Sequence, residues 1–213
     1  MSSGSAPVVD RKARRHEATR AEILAAAWVL VRRVGLGGLS LKELAAAVGM
    51  RAPSLYSYFD SKHAIYDAMF RQGWEEMARR DDILDDTPGP AAFKARVRAF
   101  LSFCTEDPAR YQLLFQRTLP GFTPSAESYA AAELVLDRAY RGLAANGITS
   151  QAHRDLFTSW TSGLADQQIA NDPGGDRWVR LADEASDMFL AHVLPRDGRG
   201  PAHTPTTKDT EER

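Results

Sequence analysis

Cysteine is almost absent from this 213-residue chain: Cys104 stands alone, so no internal disulfide can form, and it lies in no metal-ligand spacing. With neither staple nor structural metal, stability must come from packed apolar side chains. Long hydrophobic runs are missing too. No apolar stretch approaches the roughly 18 residues needed to span a bilayer. Met1 to Asp10 also lack the apolar core of a secretory signal, so the expectation is a cytoplasmic protein without a membrane partner. Alternating runs of the kind that form strands are scarce, and no internal repeat is visible. With 44% hydrophobic and 26% charged residues, the composition is that of a globular protein, long enough for one large domain or two modest ones.

The formal net charge of −1 conceals an asymmetry. Met1 to Lys62 carry ten Lys/Arg against five Asp/Glu, while His63 to Arg213 carry seventeen against twenty-three. A polyanion is drawn to the first segment and repelled by the second, which points to a nucleic-acid module joined to a domain with another task; chance clustering is the other reading of charge alone. Arg11-Lys12-Ala13-Arg14-Arg15 is too short and polar to pack. It falls in a flexible basic arm expected over 1–16, which either lies along phosphates or is solvated.

What is abundant is helical periodicity. Thr19 and Glu22 form a capping-box pattern that predicts the start of a first helix, with Ile23, Leu24, Ala27, Leu30, Val31 and Val34 as its buried stripe and Gly35, Gly37 and Gly38 as its stop. Ser40-Leu41-Lys42-Glu43 repeats the pattern and opens a second helix, burying Leu41, Leu44, Ala45 and Val48 and ending at Gly49. Pro53 is tolerated only in a first helical turn, so a third helix begins near Ala52 and runs to Phe59. Asp60 or Ser61 caps a fourth, carrying Ile65, Met69, Gly73 and Met77 inward and closed by Pro88-Gly89-Pro90. Further helices are expected at 91–106, 108–116, 124–146, 150–171 and 175–194, with a disordered tail over 195–213.

Two short helices joined through Gly49, the second exposing Ser54, Tyr56, Ser57 and Tyr58, describe a helix-turn-helix over 40–59. The first helix holds the second at a steep angle so that its polar face can enter a major groove. Leu55 and Phe59 anchor it from inside, while the Tyr56 and Tyr58 hydroxyls and the Lys62 ammonium reach phosphates. Ser40-Leu41-Lys42-Glu43-Leu44-Ala45, Val48-Gly49-Met50 and Pro53-Ser54-Leu55-Tyr56-Ser57-Tyr58-Phe59-Asp60-Ser61-Lys62 together resemble the TetR-family DNA-binding domain, a likeness that extends to about Met77. Asp107-Pro108-Ala109-Arg110-Tyr111 and Trp160-Thr161-Ser162-Gly163-Leu164 are similar to segments of some actinobacterial members.

The resemblance implies an all-α protein of about nine helices: a three-helix DNA-binding domain over 17–77 and a helical-bundle regulatory and dimerisation domain over 78–194. It implies a homodimeric repressor released from operator DNA by a small, largely apolar or aromatic ligand, with no cofactor and no metal. The candidate DNA contacts are Ser40, Lys42, Arg51, Ala52, Pro53, Ser54, Tyr56, Ser57, Tyr58 and Lys62. Arg51 departs from the family, which commonly has Ser or Thr there; a bidentate guanine contact and a phosphate contact both remain open for it. Candidate pocket residues are Trp74, Met77, Phe100, Phe103, Cys104, Tyr111, Phe115, Tyr140 and Trp160, each of which fits solid core equally well. Asp166, Gln167 and Gln168 either orient a ligand or face solvent. The last two helices, over 156–169 and 178–190, are the expected dimer surface, with Trp178, Leu181, Ala185, Met188 and Phe189 as its stripe. A partner-docking module without a ligand is the alternative. An enzyme is not expected: His153 and Asp155 have no nucleophile beside them, and the acidic run 81–86 lacks the spacing of a calcium loop.

Overall fold

A computed structural model describes residues 7–82 and 87–194. The first six residues of the expected arm, the last four of the acidic run (83–86) and the expected tail over 195–213 lie outside the described residues. Within them there is no strand, and nine α-helices follow one another: α1 Pro7–Val34, α2 Leu41–Ala47, α3 Ala52–Leu55, α4 Lys62–Asp81, α5 Pro90–Glu106, α6 Pro108–Phe115, α7 Ala126–Ala145, α8 Gln151–Asn171 and α9 Ala182–Val193. No helix among them is long and apolar enough to cross a membrane.

The first helix departs most from expectation. It begins at Pro7 and absorbs the basic segment, and the Thr19 hydroxyl donates to the Arg15 carbonyl (3.1 Å) instead of capping an N-terminus. Arg, Lys and Ala propagate helix well, and the extended turns find partners in the 57–59 segment after α3, so nothing forces a start at Thr19. Ile23, Leu24, Ala27, Leu30 and Val31 are buried as expected; Val34 is exposed, and Trp28 takes a place in the stripe. Glycine sets the turn that follows, since Gly35 adopts φ 75°.

α2 starts at its expected cap, with the Ser40 hydroxyl accepting from the Glu43 amide at 3.4 Å, and buries Leu44 and Ala45. α4 is capped by Ser61, whose hydroxyl accepts from the Ala64 amide at 3.0 Å, and buries Ile65, Tyr66, Met69, Phe70, Gly73 and Trp74. This helix is the spine of the molecule, packing on α1 on one side and on α5, α6 and α7 on the other. Gly73 is where α6 comes closest: a Cβ there would lie 2.9 Å from Leu114 Cδ2.

The helix expected over 175–194 is shorter than its pattern. After α8 the chain turns through Gly174 (φ 79°), makes a 3-10 turn at Val179–Leu181, and only then enters α9. Gln168 explains the turn: buried at the end of α8, its Oε1 accepts from the Trp178 and Val179 amides (2.8 and 3.2 Å). It therefore closes a loop and neither orients a ligand nor faces solvent. Asp166 accepts from the Tyr111 hydroxyl (2.9 Å) and from Gln116 (2.8 Å), tying α8 to α6. Phe189, expected on the dimer stripe, is buried against Phe93, Phe157 and Trp160, whereas Met188 and Leu156 remain exposed.

Candidate nucleic-acid interface

The helix after Gly49 is short because its hydrogen bonds tighten. Arg51 precedes it in extended conformation and offers no side-chain cap, Pro53 occupies the first turn, and four α-helical residues follow. The Tyr56, Ser57 and Tyr58 amides then bond three residues back, to Pro53, Ser54 and Leu55, so the segment reaches Phe59 as 3-10-like turns rather than as the continuous α-helix expected. Leu55 and Phe59 are buried beneath it at 1% and 4% exposure, as their spacing requires.

On that base Lys42, Arg51, Pro53, Ser54, Tyr56 and Ser57 are exposed, and Tyr56 projects an aromatic ring that is 55% accessible. The other candidates are more engaged. Ser40 spends its hydroxyl on the α2 cap, Ala52 is half-buried, and the Lys62 ammonium rests near the Gly37 carbonyl (3.5 Å) and over the Tyr66 ring. An ammonium has three donors, so the Gly37 contact leaves Lys62 able to hold an anion as well. Beneath it the buried Tyr66 hydroxyl donates to the Leu36 carbonyl, and burial pushes its pKa up to about 12.

Tyr58 is half-buried, its ring stacked on His16 at 4.8 Å and 25°. His16 and Arg20 are the interface residues that sequence reasoning missed. His16 Nε2 lies 3.2 Å from the Ser57 carbonyl, while the Arg20 guanidinium donates to the Tyr58 carbonyl and covers the Phe59 ring at 4.1 Å. Their i, i+4 spacing on α1 was the available signal.

Four contacts connect this interface to the rest of the chain. Trp28 donates to Gln72 (3.2 Å), and Arg32 donates twice to one oxygen of the buried Asp107 (2.9 and 2.7 Å). Asp67 on α4 accepts from the Ser125 amide (2.6 Å), the Ser125 hydroxyl (2.8 Å) and the Ser128 hydroxyl (2.8 Å), which fastens the start of α7 to α4. Arg71 reaches Glu127 at 2.6 Å. All span tens of residues, so no local pattern announces them.

Behind the interface, two of the cavities among the described residues are lined mainly by apolar side chains. The larger, about 680 Å³, is an open cleft between α4, α6, the 116–125 loop and α7, and Phe70, Trp74, Phe115, Leu119, Phe122 and Tyr129 line it. The smaller, about 120 Å³, lies among α4, α5, α7 and α8 and is lined by Met77, Phe93, Phe100, Phe103 and Phe157. Its polar wall is made of ion pairs: Arg80 holds Glu76 (2.9 Å) and Glu106 (2.6 Å), and Arg96 holds Asp81 (2.6 Å). The Arg80 bond lowers the Glu76 pKa, and the Ser102 hydroxyl followed by Arg80 lowers that of Glu106. Phe100 and Phe115 meet edge to face at 5.7 Å, one on the wall of each cavity.

Of the expected pocket residues, Trp74 and Phe115 border the larger cavity, and Met77, Phe100 and Phe103 the smaller. The remaining four do not line either one. Cys104 and Tyr111 are solid core, with burial pushing the thiol and phenol pKa values upward; Trp160 packs on Phe157 and Phe189; Tyr140 is exposed beneath Arg154. His153 and Asp155 do not form a pair: the His153 ring faces His192, and Asp155 accepts from Gln151. No cluster of three or more metal-ligating side chains occurs among the described residues.

Comparison with known proteins places this geometry. Residues 23–69, from the core of α1 to the middle of α4, match the family described as "Bacterial regulatory proteins, tetR family". The HTH-type transcriptional regulator Rv1816 of Mycobacterium tuberculosis is 26% identical over 161 residues, 68% of this chain; the match spans 66% of that relative's length. Among solved structures, a tetR-family transcriptional regulator from Streptomyces coelicolor superposes with TM-score 0.63 at 22% identity, over 82% of this chain and 80% of that one. The regulator FadR from Bacillus subtilis, crystallised with stearoyl-CoA, superposes with TM-score 0.60 at 15% identity, over 82% of this chain and 99% of that one. The matched segment carries the buried scaffold and exposed turn just described, and over it the chain is similar to the bacterial regulatory proteins of the tetR family.

Proposed function

We propose that the chain is a repressor that binds operator DNA as a homodimer through α2 and the 51–59 segment, and that an apolar or aromatic small molecule in the larger cavity releases it. One observation carries the ligand part: α4 runs unbroken from Lys62 at the interface to Phe70 and Trp74 on the wall of that cavity and to Met77 on the wall of the smaller one. A volume of about 680 Å³ lies within the roughly 300–1,000 Å³ range of small-molecule sites. That the similarly folded FadR was crystallised with stearoyl-CoA supports an apolar ligand for this fold.

In this reading Lys42, Ser54 and Ser57 face the groove, and Tyr56, Tyr58 and Lys62 hold phosphates. Arg51, exposed and without a capping role, reads a base or grips the backbone. Ligand acts by its differential affinity for dimer forms whose recognition segments are aligned or misaligned with the two half-sites, and α4 is the element that both sites share. The alternative, a partner-docking module without a ligand, gives the larger cavity no task.

Selection of binding sites from random DNA, followed by a compound screen for release, tests the whole reading. Tyr56→Ala is expected to weaken operator binding strongly. Lys62→Ala is expected to weaken binding to all DNA and to reduce the salt slope by about one. Unchanged operator affinity in both variants overturns the interface; release by no apolar compound overturns the ligand role.

A further inference from the structure

The matched family segment begins at Ile23, yet α1 begins sixteen residues earlier. Arg11 to Arg20 hold five Lys/Arg against one Asp/Glu, the densest positive charge in the sequence. Arg11, Lys12 and Arg15 are exposed. These turns are not a detached arm. His16 and Arg20 hold the carbonyls of Ser57 and Tyr58, and the Tyr58 ring stacks on His16, so the extension is fixed to the end of the recognition segment.

The helical repeat gives the direction. Lys12, His16 and Arg20 are spaced by four and share one face, offset by about 40° at each step. Lys12 therefore lies one turn beyond His16 on the side that meets the recognition segment. Arg11 lies about 7–8 Å beyond the His16 contact at 1.5 Å per residue, and Arg15 stands between the two on an adjoining face. A rigid cationic ridge held at one end of a groove-reading segment meets the phosphates flanking that groove.

We propose that the N-terminal turns of α1 form a second DNA contact, in which Arg11, Lys12 and Arg15 bind backbone phosphates beside the half-site and are held in register by His16 and Arg20. The ridge rests on the DNA-binding reading given above. It adds affinity without sequence preference, because phosphates carry no base information.

The test compares the full-length chain with the triple variant Arg11→Gln, Lys12→Gln, Arg15→Gln, which keeps good helix formers at exposed positions. Operator affinity is measured between 50 and 200 mM salt, and helicity by circular dichroism. Three phosphate contacts steepen the salt dependence by about 2.7 in the exponent, so the wild type is expected to lose about 40-fold more affinity than the variant across that range. Hydroxyl-radical footprints are expected to lose protection at the flanks and keep it over the half-site. A wild type that binds operator while the variant retains its salt slope and flanking footprint overturns the ridge alone. A wild type that binds no operator overturns the DNA-binding reading together with it. His16→Ala, which keeps all three cations, is expected to blur the flanking footprint; a footprint as sharp as the wild type's overturns the role given to the His16 latch.

Discussion

Asp107 is a buried carboxylate with three hydrogen bonds. One oxygen takes both donors from Arg32, and the other caps α6 by accepting from the Arg110 amide at 3.1 Å. A cap contributes about 0.5–2 kcal/mol. The ion pair contributes less than a fully buried one, because the Arg32 side chain is 51% exposed and water screens it. Asp107→Asn keeps an acceptor for the cap and lets Arg32 turn to solvent; Asp107→Ala removes both. Denaturant unfolding is expected to give losses of about 1 kcal/mol for Asn and about 2–3 kcal/mol for Ala. Equal losses would mean that the charge, and not the cap, carries the effect. Arg110, beside it, shows a different economy of charge: burial lowers its pKa, while its guanidinium lies 3.8 Å over the Phe103 ring and donates to the Phe103 carbonyl. Either residue, taken alone in the sequence, looks like an ordinary surface charge.

At the scale of elements, Gly73 and Leu114 set how closely α4 and α6 pack. Alanine at 73 gains up to about 1 kcal/mol in helix propensity, but its methyl meets Leu114, and overpacking costs about 1–3 kcal/mol. Gly73→Ala is expected to lower stability by about 1 kcal/mol in the wild type and to raise it in a Leu114→Ala background, a coupling of about 2 kcal/mol in a double-mutant cycle. The same sign in both backgrounds would show that the close approach is not what holds the glycine. Much of this level was legible. The Ser40 and Ser61 caps, the Leu44, Leu55 and Phe59 anchors and the spans of α5 to α8 follow from local pattern, because capping and period act within a turn or two. Three things were not: the helical reach of α1, the break before α9 and the division of the pocket residues between two cavities and solid core. Each depends on partners distant in sequence, His16 on Ser57, Gln168 on Trp178, and Trp74 on Phe115 across from α6. Periodicity marks a buried face without naming what it is buried against.

For the whole molecule, the proposed dimer gives the firmest constraint. Phe189 is spent inside the fold, so an interface on α8 and α9 has to use what remains exposed there, chiefly Leu156 (43%) and Met188 (68%). A two-fold axis brings the same patch from each protomer together, so a charge placed in it meets its own copy. Asp155 and Asp187 flank these positions in the sequence, so an added carboxylate on each chain raises the like charge that the axis brings together. Leu156→Glu with Met188→Glu is therefore expected to sediment as a folded monomer with unchanged helicity. Operator affinity is expected to fall by roughly 100-fold or more, because two linked half-sites become one. Binding to an isolated half-site should persist at wild-type strength, which separates lost assembly from a damaged recognition segment. If the double variant still sediments as a dimer, the interface lies elsewhere, and the outward face of α7, with Leu134 at 73% exposure, is the next surface to charge.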